Sequence, residues 1–240
     1  MNINILYEDE HILLVDKRPG LVVHPDETER VNTLITHIQA YLYQKKEWSP
    51  YQEGAFAPAL CNRIDRNTGG IVIAAKTAEG LRVMNQKIRD RELKKYYLCI
   101  VHGTLPRPAG RLEGYILKDE AKKQVTVSSR PRPGAKTAVT LYETLAVRNG
   151  LSLVRCQLIT GRTHQIRAQF AAAGHPLLGD GKYGSERQNK RYGRSYQALY
   201  SYRLEFCFTT DAGALAPLDG QQFQVEQVDF VTEYFPGFSL

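Results

Sequence analysis

The sequence predicts an α+β fold: a mixed, largely antiparallel sheet flanked by helices and loops. Strand-like segments outnumber helical ones along the chain. An Asn149-Gly150 pair sits between two alternating stretches, a strong hairpin signal. The strict strand–helix alternation that a doubly wound parallel sheet requires is missing.

Each element follows from local pattern. Ile5-Leu6-Tyr7 and Ile12-Leu13-Leu14-Val15 read as two short strands around the polar turn Glu8-Asp9-Glu10-His11. Lys17-Arg18-Pro19-Gly20 breaks the chain, and Leu21-Val22-Val23-His24-Pro25 is expected to continue extended. Leu34, Ile38, Tyr41 and Leu42 recur at helical spacing, with Asn32 or Thr33 as N-cap. Residues 45–54 are mostly polar and predict a loop.

Ile71-Val72-Ile73-Ala74-Ala75 is an apolar run after two glycines, the pattern of a buried strand. Thr77 can cap the next helix, whose expected inner stripe is Leu81, Met84 and Ile88. Residues 96–101 predict a strand with Tyr97, Cys99 and Val101 on one face. Breakers place loops at 106–110 and 130–134, and alternation pairs 138–147 with 151–159. A helix is expected from Thr163, with Ile166 and Phe170 inward, ending at Ala173-Gly174-His175-Pro176. Strand returns at 199–208.

A chain of 240 residues without a long Pro/Gly linker or internal repeat predicts one domain over 1–240. Hydrophobic content of 42% and charged content of 24% are those of a soluble globular protein. The opening Met1-Asn2-Ile3-Asn4-Ile5 has no basic n-region, and no apolar run is long enough to span a membrane. Cys61, Cys99, Cys156 and Cys207 form no C-x-x-C pair, which predicts small core hydrophobes in a reducing cytoplasm.

Net charge is +7, a balance that suits a polyanionic partner but does not specify one. Two basic clusters with adjoining tyrosines, Arg89/Arg91/Lys94/Lys95 and Arg187/Lys190/Arg191/Arg194, could neutralise phosphates and stack bases. They read equally well as solvated loops.

Chemistry concentrates in two places. In Asn62-Arg63-Ile64-Asp65-Arg66-Asn67-Thr68-Gly69-Gly70 an aspartate lies between arginines in a loop that enters a buried strand. Neighbouring guanidinium groups favour an ionised carboxylate, although a turn-forming Asp65 is the stronger reading of these residues alone. Gly161-Arg162-Thr163-His164-Gln165-Ile166-Arg167 puts cations at a helix start, where free N–H groups attract anions. His164 and His175 have no metal-ligand spacing, so no metal site is expected.

Taken together these segments resemble the RluA family of pseudouridine synthases. The resemblance runs in order through Leu6-Tyr7-Glu8-Asp9, Val15 to Leu21, the Asp65 loop, Lys94-Lys95-Tyr96-Tyr97, Lys136 to Tyr142, Gly161–Arg167 and Gly174 to Gly184. It implies isomerisation of uridine to pseudouridine in structured RNA without a cofactor. Asp65 matches the essential aspartate, Tyr97 the active-site tyrosine, and Arg167 the arginine that pairs with the aspartate. Arg63 matches the residue that enters the RNA where the target base leaves. Further substrate contacts are expected from Thr68, Lys94, Arg162, His164 and Gln165.

The chain departs from the family at Asn62 (usually His), Gly69 (usually Ser) and Leu199-Tyr200-Ser201 (commonly Leu-His-Ala). These departures leave the aspartate, tyrosine and arginine in place and bear on substrate preference. Many relatives carry an N-terminal S4 domain. This sequence begins directly at the catalytic region, so none is expected in it. The expected partner is RNA, met by a monomer, with large-subunit ribosomal RNA favoured over tRNA. A non-catalytic RNA-binding protein has no reason to keep Asp65, Tyr97 and Arg167 together. A two-carboxylate glycosidase would need a second acid, and neither Glu113 nor Asp180 has a supporting context.

Overall fold

The computed structural model describes residues 3–240, so the first two residues of the opening read above lie outside it. The chain forms a mixed, mostly antiparallel sheet with helices, as the pattern predicts. It divides into two compact units. One comprises residues up to Lys94 together with Ser201–Val225, and the other Lys95–Tyr200 with Glu226–Leu240.

In the first unit β1 (Asn4–Glu8) and β2 (Ile12–Lys17) pair antiparallel around the expected turn. Asp9 organises that turn, accepting from the His11 and Ile12 backbone N–H groups at 2.7 Å each. The segment after β2 is not extended strand. An isolated parallel bridge, Val22 to Thr33, forms there, and the Val22 and Val23 carbonyls accept from the Leu34 and Ile35 N–H groups at the next helix start. That helix, α1 (Leu34–Gln44), is capped by Thr33 and buries Leu34, Ile35, Ile38 and Leu42. Short β3 (Ala59–Leu60) joins β4 (Gly69–Ala75), whose seven residues are all buried.

Thr77 caps α2 (Ala78–Arg89) as expected, but the buried face is Gly80, Val83, Met84 and Lys87; Leu81 and Ile88 are half-buried. The stripe turns because Lys87 occupies a core position. Its ammonium meets Glu92 at 2.7 Å and the Thr210 carbonyl at 2.6 Å, over the Phe208 ring. A partnered charge can stand where pattern reading expects an apolar residue.

β5 (Leu93–His102) carries the chain into the second unit. There β6 (Ala109–Asp119) and β7 (Gln124–Ser128) form a hairpin that the sequence pattern did not reveal. β8 (Lys136–Arg148) and β9 (Leu151–Leu158) form the one that it did. Asn149 and Gly150 both take positive φ, 51° and 74°, as a two-residue primed turn demands. β9 also pairs with β5, setting Tyr97 opposite Cys156. The Cys99 and Cys156 sulfurs lie 3.8 Å apart as buried free thiols.

α3 (Gln165–Ala172) starts two residues later than expected and stops where expected. Gly174, at φ +85°, donates to Ala171 O, and the His175 N–H donates to Phe170 O, the double bond of a Schellman stop. α4 (Glu186–Tyr192) converts one of the basic clusters into a helix. β10 (Leu199–Phe206) then pairs with β11 (Gln222–Gln224) in the first unit, and α5 (Asp229–Tyr234) closes the second. No helix among the described residues is long and apolar enough to cross a membrane.

One surface network in the first unit has a measurable signature. Glu8 accepts from Lys45 Nζ and Lys76 Nζ at 2.8 Å each and from the Tyr41 hydroxyl at 2.7 Å. Burial pushes its carboxyl up, but these donors outweigh it and hold the pKa down from 4.5 to about 2. A depressed carboxylate stabilises the fold above its unfolded pKa, and that contribution disappears as pH falls toward the folded value. Glu8→Gln is therefore expected to cost about 2 kcal/mol at pH 7. In urea unfolding the deficit should shrink between about pH 5 and pH 2. An equal deficit at pH 7 and pH 2.5 would contradict this account.

Candidate active site

The Asp65 loop belongs to the first unit. Ile64 is buried and anchors it, while Asp65 is half-buried and Arg63 exposed. A turn closes on Asp65, whose carbonyl accepts from the Thr68 N–H at 3.0 Å. Thr68 itself is buried. The loop then enters β4 through Gly70, at φ +111°. A Cβ on Gly70 would stand 2.2 Å from the Ser201 carbonyl oxygen, so the backbone there admits only glycine.

Asn62, where the resembled family usually has His, has a local duty: its Oδ1 accepts from the Ile73 N–H at 2.7 Å. Arg66 reaches the Thr28 hydroxyl and lies 3.7 Å from Asp26, tying the largely exposed segment 24–32 to the loop. On the same unit Lys94 is exposed, 3.5 Å from Glu205.

The second unit carries Tyr97 and Arg167. Tyr97 is buried on β5, sharing a face with Cys99 and Val101 as its spacing predicts. Arg167 is buried on α3 and forms a two-pronged pair with Asp180, Nε to Oδ2 at 2.7 Å and Nη2 to Oδ1 at 2.9 Å. Asp180 Oδ1 also accepts from the Lys182 and Tyr183 N–H groups. Burial raises the Asp180 carboxyl, but Arg167 and those backbone donors keep it below its ordinary range.

Asp180 is a buried partner of Arg167 that the sequence pattern does not reveal. In the sequence it stands only as a second acid without a supporting context. Its context is three-dimensional: Arg167 stacks over the Tyr183 ring, and the Tyr183 hydroxyl meets His164 Nδ1 at 2.8 Å. Asn189 of α4 completes the frame, donating to the Asp180 carbonyl and accepting from the Gly179 N–H and from His102 Nε2. The visible signal was Gly179-Asp180-Gly181, an acid held between glycines at the end of a conspicuous motif.

Two expected RNA contacts turn out to be internal. Gln165 is buried. Its amide donates to Val139 O and Thr140 Oγ1 and accepts from the Thr160 hydroxyl and the Arg162 N–H. Those four bonds exhaust a carboxamide, so Gln165 organises the turn before α3. Arg194, expected to bind phosphate, has a side chain only 5% exposed and pairs with Asp229 and Glu233 of α5. It also stacks over Tyr196 and Phe230. Its charge is already used in fixing the C-terminal helix. Arg187, Lys190 and Arg191 do stand exposed on α4, and Arg162 is half-buried with its Nε on Thr137 O.

The first unit thus presents a loop-borne carboxylate, and the second a buried tyrosine on a strand and an arginine oriented by a buried acid, residue types suited to acid–base chemistry. Comparison with known proteins gives the family. Residues 11–172, which include Asp65, Tyr97 and Arg167, match the family model described as RNA pseudouridylate synthase. The chain belongs to this family of isomerases acting on RNA.

It is 35% identical over 213 residues to an uncharacterized RNA pseudouridine synthase of Mycoplasma genitalium, covering 85% of this chain and 63% of that one. It is 32% identical over 232 residues to ribosomal large subunit pseudouridine synthase D of Zymomonas mobilis, covering 96% of this chain and 69% of that one. The chain thus spans about two thirds of the length of these relatives. Its fold is like that of human RNA pseudouridylate synthase domain containing 4, with a TM-score of 0.71 at 23% identity over 95% of this chain and 89% of that one.

Proposed function

We propose that the chain is an RNA pseudouridine synthase that isomerises uridine to pseudouridine in structured RNA, with large-subunit ribosomal RNA as its target. The observation that carries this reading is the family match, a single span that includes the Asp65 loop, the Tyr97 strand and the Arg167 helix. The choice of RNA rests on the name of the Z. mobilis relative. The protein acts as one catalytic domain and as a monomer, in the cytoplasm.

The reaction breaks the bond from ribose to uracil N1, turns the base and rejoins it through C5. The proton lost from C5 is balanced by one gained at N1, so nothing is oxidised or reduced. The target base must leave its stack, at a few kcal/mol, which favours loops and distorted helices. Asp65 supplies the carboxylate that engages the target nucleoside. Tyr97 stacks on uracil and serves the proton step at C5. Arg63 enters the RNA in place of the departing base.

The test is tritium release from RNA labelled at uridine C5 and isolated from a strain lacking the protein. Release by the wild-type chain, with loss of one or a few pseudouridines from that strain's 23S ribosomal RNA, is the expected result. No release from any cellular RNA would reject the activity, and release from tRNA alone would reject the target.

The exposed cations of α4 are expected to contribute salt-sensitive affinity. Replacing Arg187, Lys190 and Arg191 with Gln should weaken RNA binding and reduce the slope of log K against log salt by about 2. Unchanged slopes in filter binding between about 50 and 200 mM salt would remove α4 from the RNA interface.

A further inference from the structure

The connection from β7 to β8, Ser129-Arg130-Pro131-Arg132-Pro133-Gly134-Ala135, carries cations that the proposed chemistry does not use. Arg130, Arg132 and the following Lys136 are exposed, and among the described residues no acid pairs with any of them. No carboxylate stands anywhere between Ser128 and Thr137. The neighbouring strand and turn differ: Arg111 meets Glu113 at 2.8 Å, Lys118 meets Glu120 at 2.7 Å, and Lys122 lies 3.9 Å from Asp119. Like charges crowded without counterions repel one another and attract polyanions.

The loop that presents them is stiff. Each arginine precedes a proline, which bars the arginine from the helical region and fixes its own φ. The Ser128 hydroxyl donates to the Arg130 carbonyl at 2.9 Å and accepts from the Arg130 N–H at 3.2 Å. The Ala135 N–H closes a turn on the Arg132 carbonyl at 3.0 Å, with Pro133 and Gly134 at its corners and Gly134 at φ +77°. Gly134 also lies against β6, where an added Cβ would stand 3.6 Å from Leu117 Cδ1. The arm is seated on the sheet along its length.

Its far end leads to the helix that bears Arg167. Lys136 opens β8, opposite Ile116 of β6. The next carbonyl, that of Thr137, accepts from Arg162 Nε at 3.0 Å. Arg162 in turn begins the turn into α3, its carbonyl accepting from the Gln165 N–H at 3.1 Å. The arm is therefore tied to the segment that the family resemblance assigns to substrate contact.

We propose that this loop is a phosphate-binding arm: Arg130, Arg132 and Lys136 hold the sugar–phosphate backbone of a helical RNA segment beside the target uridine. This rests on the reading of the chain as an RNA pseudouridine synthase. Guanidinium forks match phosphate oxygens in pairs, and the ammonium adds a point charge. The arm has no aromatic residue on which splayed bases could stack. A fixed array of cations gains most from a fixed array of phosphates, which a helix offers and a flexible strand does not. Such contacts add affinity and set the register of the RNA, and they leave the chemical step alone.

The experiment uses the full-length chain and two binding probes, an RNA hairpin and an unstructured polyuridylate strand of equal phosphate count. Filter binding is read between about 50 and 200 mM salt. Replacing Arg130, Arg132 and Lys136 with Gln should weaken hairpin binding and reduce the slope of log K against log salt by about 2. The slope for polyuridylate should fall by less than about half as much. Replacing Arg111, Lys118 and Lys122 with Gln removes the same charge from cations already beside acids, and its effect on the hairpin slope should be similarly small. Single-turnover tritium release at saturating C5-labelled RNA should stay within about twofold of wild type for the arm variant.

An unchanged hairpin slope in the arm variant overturns the proposal and leaves the arm to a partner other than RNA. An equal loss on polyuridylate, or in the control variant, overturns it as well, since single-strand or general charge attraction then accounts for the effect. A large loss of rate at saturation would move these residues from binding into the chemistry and overturn it too. Absence of tritium release by the wild-type chain removes the enzymatic reading alone, because the hairpin slopes still decide whether the arm holds helical RNA.

Discussion

Asp65→Asn should reduce tritium release on the order of 10³-fold or more, with RNA affinity within about twofold and an unchanged circular dichroism spectrum. Asparagine keeps the shape of the side chain and removes its charge, its basicity and its capacity as a nucleophile. The loop should survive the change. Its closing bond uses the Asp65 backbone carbonyl and its anchor is Ile64, neither of which the substitution touches. Loss of rate without loss of fold or binding is therefore the signature expected of a group that engages the nucleoside. Full activity would return Asp65 to the turn-forming role that its local sequence also allows.

Asp180→Ala is expected to destabilise the second unit by about 3–5 kcal/mol, because it removes the two-pronged carboxylate partner of a buried guanidinium. Asp180 is 0% exposed and answers Arg167 with both oxygens. Its removal also frees the Lys182 and Tyr183 N–H groups that its Oδ1 now accepts. Asp180→Asn, which keeps the volume and one good acceptor, should fall between the two. Urea unfolding at pH 7 measures the difference directly. At a temperature where the variants stay folded, rate should fall further than affinity, since Arg167 loses the partner that orients its fork. A change below about 1 kcal/mol for Asp180→Ala would mean that Arg167 finds equivalent partners without it.

Local signals foretold the elements that local chemistry decides. Asn149-Gly150 marked its hairpin because only residues tolerant of positive φ can close a two-residue primed turn. Thr77 and Gly174 marked helix ends because caps satisfy orphan N–H and C=O groups within a few residues. Distant partners decided the rest. Lys87 sits in the core because Glu92, Thr210 and Phe208 surround its ammonium, and pattern reading sees none of them. The β6–β7 hairpin alternates weakly, since much of β6 is exposed or half-buried and its turn is a run of charges.

The site divides in the same way. The Asp65 run gained meaning from its resemblance to a family, whereas its own residues favoured a turn. Asp180 needed the α3 stop and the bend that follows it to bring it back onto Arg167. Arg194 looked like a phosphate ligand until α5, a segment of ambiguous pattern, supplied two carboxylates.

The glycine at the mouth of β4 limits how the Asp65 loop can be transplanted. With the Ser201 carbonyl against its α-carbon, Gly70 makes the Asp65 segment dependent on a strand residue far along the chain. The loop is consequently not a portable cassette. A graft of 62–70 onto another scaffold would need the strand bearing Ser201 at the same spacing, and the two would have to be moved, and selected, as one piece.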